Sequence, residues 1–151
     1  MVAMSNKPVV IYLHGFNSSP NAYKAQQVQR YLDDHALAFD YLRPSIPDLP
    51  DEAKAFLEAL MQSLAGRTVY LIGGSLGGFY ATWLAEQFNC KAVLVNPSTQ
   101  PHTMLERYAG AQRNPYSGNE YVLSAEHMAT FKSLHFARIM HPERYFVLLQ
   151  M

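Results

Sequence analysis

Cysteine is nearly missing from this 151-residue chain: Cys90 stands alone. No internal disulfide and no thiolate metal cluster can therefore form, and a buried, inert thiol in a reducing cytosol is the expected reading. Charge excess is missing too, because twelve Lys and Arg offset twelve Asp and Glu. Such a balance offers no electrostatic footprint for nucleic acid or an anionic membrane. Long apolar runs are missing as well. The run Val9 to Leu13 is broken by His14, too short for a signal-peptide core, and no segment nears the roughly 18 apolar residues of a membrane span. The expected location is cytoplasmic. Disorder is excluded from the other side, since 49% of residues are hydrophobic and 16% charged. The length suits one domain spanning 1–151.

What is present is an alternation of strands and helices. Val9 to Leu13 is a continuous β-branched and aromatic run, the pattern of a strand buried on both faces of a parallel sheet. Ser18, Ser19 and Pro20 supply a cap and a first helical position, and Ala25, Val28 and Leu32 recur at helical spacing, which predicts a helix near 20–35. Phe39 to Leu42 is a short strand. Ala53, Phe56, Leu57, Leu60 and Leu64 mark an amphipathic helix ended by Gly66. Thr68 to Ile72, Ala92 to Val95 and Tyr145 to Leu149 complete about five strands, with a helix carrying Tyr80, Ala81, Leu84 and Phe88 after the third. The core is thus 8–97 plus 143–151. The segment from about 98 to 142 reads as a largely helical insertion, either a cap over a site or helices packing a small core of their own. In a parallel sheet built from right-handed crossovers, ligands meet the chain at the carboxyl ends of strands. His14, Gly73 to Ser75 and Asn96 lie there.

Gly73-Gly74-Ser75-Leu76-Gly77 matches G-x-S-x-G. The string alone arises by chance in roughly one chain in twenty of this length. Its context decides, because a nucleophile elbow needs a buried strand immediately before it and a helix immediately after, and both are predicted here. Glycines two before and two after the serine remove side chains that would collide in so tight a turn. The same glycines fail a dinucleotide fingerprint, which would need glycine where Ser75 or Leu76 stands. They also fail a phosphate-binding P-loop, which needs lysine where Phe79 stands. Ser75 is the candidate nucleophile, and the backbone amides of Leu76 and Phe16 are the candidate oxyanion donors. His14 is a further candidate, read as ordering its loop in preference to serving as the base. No H-E-x-x-H pattern occurs, and neither a metal nor a cofactor is expected. His102, His127, His135 and His141, with Glu106, Glu120 and Glu126, are read as surface or cap groups.

Together these residues resemble the α/β-hydrolase superfamily and, more narrowly, the YqiA-like bacterial esterases. The resemblance rests on Tyr12-Leu13-His14-Gly15-Phe16-Asn17-Ser18-Ser19-Pro20, on Gly74 to Leu84, on Val95-Asn96-Pro97, and on Asn114-Pro115-Tyr116 with Gln150. It implies a three-layer fold and a serine esterase or thioesterase acting on short acyl esters or acyl-CoA thioesters, with Ser75 as nucleophile. It also implies that a triad acid and histidine would lie beyond Met151, so that this chain corresponds to a C-terminally truncated copy with severely reduced activity. A non-catalytic remnant or ligand-binding module is the competing expectation. A dehalogenase reading is disfavoured because that chemistry places Asp at the elbow. A terminal edge strand at Tyr145 to Gln150 is expected to promote self-association.

Overall fold

A computed structural model describes residues 5–150; Met1 to Met4 and Met151, at the two ends of the expected domain, lie outside the described residues. Strands β1 (Val9–Leu13), β2 (Asp40–Leu42), β3 (Val69–Gly74), β4 (Lys91–Val95) and β7 (Tyr145–Leu148) form one sheet in the order β2-β1-β3-β4-β7, every pair parallel. The chain leaves β1 in one direction to form β2 and returns on its other side to form β3. The order therefore reverses at the β1–β3 border, where a crevice opens at the carboxyl edge of an α/β sheet.

Alternation along the strands decides which helices cover which face. Val9, Ile11 and Leu13 of β1, Leu71 of β3 and Leu94 of β4 point to one side. There they join one core with helices α2 (Pro50–Ser63) and α3 (Leu76–Phe88) through Leu57, Phe79, Trp83 and Leu84, and α5 (Ala125–Leu134) adds Phe131 to it against Phe79 and Tyr80 of α3. Each such side chain taken fully out of water contributes about 1.5–3 kcal/mol. Among the described residues the opposite face, with Val10, Tyr70 and Val93, carries only α1 (Tyr23–Asp34), whose Val28, Tyr31 and Leu32 flank a trough of about 590 Å³. The result is three layers. Among the described residues, no helix is long and apolar enough to cross a membrane.

Two elements differ from their sequence expectations. Helix α1 starts at Tyr23 with Ala22 as its unassisted cap, because residues 15–22 are committed to turns: the Ser18 amide donates to Gly15 O and the Ala22 amide to Ser19 O. The segment after β4 contains, besides α4 (Pro101–Met104) and α5, an antiparallel hairpin of β5 (Gly110–Arg113) and β6 (Glu120–Leu123). In β6 the alternation is plain, Tyr121 and Leu123 buried and Glu120 and Val122 exposed, but four residues are too few to show it in the sequence.

Candidate active site

Ser75 lies at the apex of the turn between β3 and α3, at φ +53° and ψ −120°. A side-chain-bearing residue rarely holds positive φ, so the turn must be fixed from outside. Three things fix it. The Ser75 amide still donates to Val95 O of β4 at 3.1 Å, continuing the β3–β4 ladder. Its carbonyl accepts from the amides of Gly78, Phe79 and Ser98, at 3.0, 3.3 and 2.9 Å. Finally, Gly77 presses directly on the end of β1, where a β-carbon would stand 1.9 Å from Leu13 O. Gly73 is equally confined, 2.2 Å from Gly77 O by the same measure. The strain therefore leaves Ser75 exposed above the sheet while its neighbours Leu76 and Gly77 are buried.

The loop after β1 comes to meet it. A β-carbon on Gly15 would sit 3.9 Å from Ser75 Oγ, so Gly15 stands beside the hydroxyl and Phe16 follows it in the same turn. The structure thus gathers Ser75, Leu76, Phe16 and His14 at the carboxyl edge of β1 and β3, with a small hollow shared by His14, Phe16 and Leu76. The positive end of α3 starts at Leu76, which favours negative charge at this point.

His14 is buried, and its ring nitrogens are engaged away from the serine. Nε2 accepts from the Ile46 amide at 3.0 Å, which places the proton on Nδ1 and lets it donate to Gly15 O at 3.0 Å. Burial holds its pKa below the ordinary histidine value, against smaller opposing effects of the Gly15 carbonyl and Asp48. The stability consequence follows in sign. As pH falls below about 6.5 the unfolded chain takes up the proton first, so this contribution is complete above that value and is lost through the lowered folded pKa. The thermal midpoint is expected to fall as the pH drops below about 6.5, and His14→Gln, which keeps an acceptor for Ile46, should flatten that limb. Equal slopes in a pH series of melting curves would refute this.

The other histidines make their bonds elsewhere: His35 with Tyr31 O, His127 within its helix cap at Ser124, and His141 with Glu143. The ring centroids of His102 and His135 lie 5.7 Å apart, the rings tilted by 59°. No hydrogen bond joins Ser75 Oγ to an imidazole or carboxylate among the described residues. Nor do three of His, Cys, Asp and Glu cluster there as a metal site would require.

Some residues at the site carried no role in the sequence. Asn114 is 3% exposed; its Nδ2 donates to Ser18 O at 3.1 Å and to Asp48 Oδ1 at 2.9 Å, and its Oδ1 accepts from the Tyr116 and Ser117 amides. Asn17, at φ +51°, accepts from the Tyr121 hydroxyl at 2.5 Å. The Asn114-Pro115-Tyr116 string marked the first of these as part of a resemblance. Nothing in it named a partner.

A family model described as Uncharacterised protein family (UPF0227) matches residues 9–151, which takes in β1, the elbow, the hairpin and β7. The chain belongs to this family. Solved structures place the UPF0227 chain in the α/β-hydrolase fold. Est1E from Butyrivibrio proteoclasticus aligns with a TM-score of 0.68 at 13% identity, covering 96% of this chain and 68% of the other. Mouse alpha/beta hydrolase domain-containing protein 10 gives 0.67 at 15% identity, over 98% and 82%. A monoacylglycerol lipase from Paleococcus ferrophilus gives 0.55 at 17%, over 95% and 74%.

Proposed function

We propose that this UPF0227 chain is a serine-type hydrolase of carboxylic esters or thioesters, built for short acyl groups. The observation that carries the reading is the backbone of Ser75: a positive φ at an exposed serine between a buried strand and a helix, enforced by Gly73 and Gly77. Strained backbone of this kind clusters at functional sites, and here it lifts one hydroxyl out of the sheet near two candidate amide donors. In this reading Ser75 Oγ attacks the carbonyl carbon and the carbonyl oxygen becomes an oxyanion between the amides of Leu76 and Phe16. The alcohol or thiol then leaves, and water cleaves the acyl-enzyme. His14 orders the loop that carries Phe16. The hydrolase fold of the neighbours, and the hydrolase and lipase in their names, support the same class.

The rate is a separate matter. With no imidazole bonded to Ser75 among the described residues, the hydroxyl proton passes to water, and the base's contribution, about a millionfold in other serine hydrolases, is forgone. The chain is therefore proposed to acylate slowly. The test is intact-mass detection of a fluorophosphonate adduct together with p-nitrophenyl butyrate turnover, on the wild type and Ser75→Ala. Slow, stoichiometric labelling lost in Ser75→Ala, with turnover near background, is expected. Ser75-dependent turnover at ordinary esterase rates would overturn the slow-acylation claim. Ligand binding with no adduct on Ser75 would favour a binding module of the same fold.

A further inference from the structure

The site loop is held from the far side by the insertion. Phe16 is the second residue of a four-residue turn closed by the Ser18 amide on Gly15 O at 3.2 Å, and the third, Asn17, stands at φ +51°. A non-glycine residue keeps that conformation only where its surroundings over-determine it. Both ends of the Asn17 amide are gripped: Oδ1 accepts from Tyr121 at 2.5 Å and Nδ2 donates to Gln112 Oε1 at 3.4 Å. Gln112 and Tyr121 are directly opposed in the hairpin ladder, so the grip comes from one rigid cross-strand pair. Asn114 and Asn119, from the turn of the same hairpin, occupy both oxygens of Asp48, and Asn114 also takes the Ser18 carbonyl. Desolvation, with Asp48 adding to it, keeps the Tyr121 hydroxyl protonated, its pKa pushed up to about 12, so it donates across the working pH range.

We infer that Tyr121 is a positioning residue for the oxyanion site: through Asn17, the β5–β6 hairpin sets the orientation of the turn that carries the Phe16 amide. This rests on the Ser75 reading above. Tyr121 touches no reacting atom; it acts by fixing the conformation of a donor whose placement to within an ångström governs the rate. The hairpin that borders the site thereby tunes the chemistry in it.

The test compares Tyr121→Phe with Tyr116→Phe, an exposed tyrosine in the same hairpin turn. Three quantities are read: the second-order rate of Ser75 phosphonylation by a fluorophosphonate, amide hydrogen exchange of residues 15–18, and the thermal midpoint. Tyr121→Phe should slow phosphonylation about tenfold and raise exchange at 15–18, with little movement of the midpoint, and Tyr116→Phe should change none of them. A lower midpoint with an unchanged rate would make Tyr121 a structural residue only and overturn the inference. So would increased exchange without a slower rate. If wild-type Ser75 does not react, the serine reading falls and the clamp is judged on exchange alone: unchanged protection at 15–18 overturns it too, and a rise confined to those residues sustains it as the device that orders the loop.

Discussion

Replacing Gly77 with alanine is expected to cost about 4 kcal/mol or more and to leave little folded protein. The added β-carbon would stand 1.9 Å from Leu13 O, 2.6 Å from its carbonyl carbon and 2.8 Å from His14 O. All three are backbone atoms of β1 and the loop it feeds, so none can rotate away as a side-chain tip would. Relief requires α3 to lift from the strand end, and α3 carries Phe79, Tyr80, Trp83 and Leu84, all 4% exposed or less. Gly15→Ala is the informative contrast. There the nearest atoms, Gly74 O and the Ser75 β-carbon, lie at 3.5 Å, ordinary contact, and stability should change by less than about 1 kcal/mol. Urea unfolding of both variants checks the pair, and a Gly77→Ala midpoint near that of the wild type would show that the elbow is not wedged as described.

That wedge explains why the elbow was legible in the sequence. A tight strand-to-helix turn pressed on a neighbouring strand admits only glycine at fixed offsets, and the offsets survive as Gly73 and Gly77 around Ser75. Strands β1, β3 and β4 were legible for a related reason: β1 is buried along its whole length, and in β3 and, after Lys91, in β4 buried positions alternate only with partly buried ones, which leaves apolar runs. The hairpin was not. Gly-Ala-Gln-Arg in β5 has no β-branched residue, and β6 shows its alternation over four positions only. The clamp was less legible still: Asn114 meets Ser18 and Asp48 across 96 and 66 residues, and a side-chain bond over such distances leaves no period and no local motif. The start of α1 was misplaced by the same contact, because Ser18, which looked like part of a helix cap, spends its carbonyl on Asn114.

We propose that the chain self-associates through β7, and that lysine substitutions there will release monomers. The two edges of the sheet differ. Edge strand β2 is three residues long, and its Asp40 is paired with Arg67, the combination of shortness and charge by which natural sheets blunt an edge. Among the described residues strand β7 pairs with β4 on one side only; it carries no charged residue in Tyr145–Leu148 and leaves Phe146, Val147 and Leu148 exposed at 63%, 47% and 47%. Apolar hollows flank it on both faces, one of about 530 Å³ with Trp83, Phe136 and Val147, the other the trough with Tyr70, Val93 and Phe146. A second copy placing its own β7 antiparallel about a twofold axis would satisfy the free backbone groups of both strands and offer each hollow apolar side chains from across the axis. Association of this kind makes the thermal midpoint rise with protein concentration. Sedimentation velocity over a concentration series should show dimers or larger species for the wild type and mostly monomer for Phe146→Lys and Val147→Lys. A wild type that sediments as a monomer throughout, or variants that associate as strongly as it does, would place the contact elsewhere or remove it.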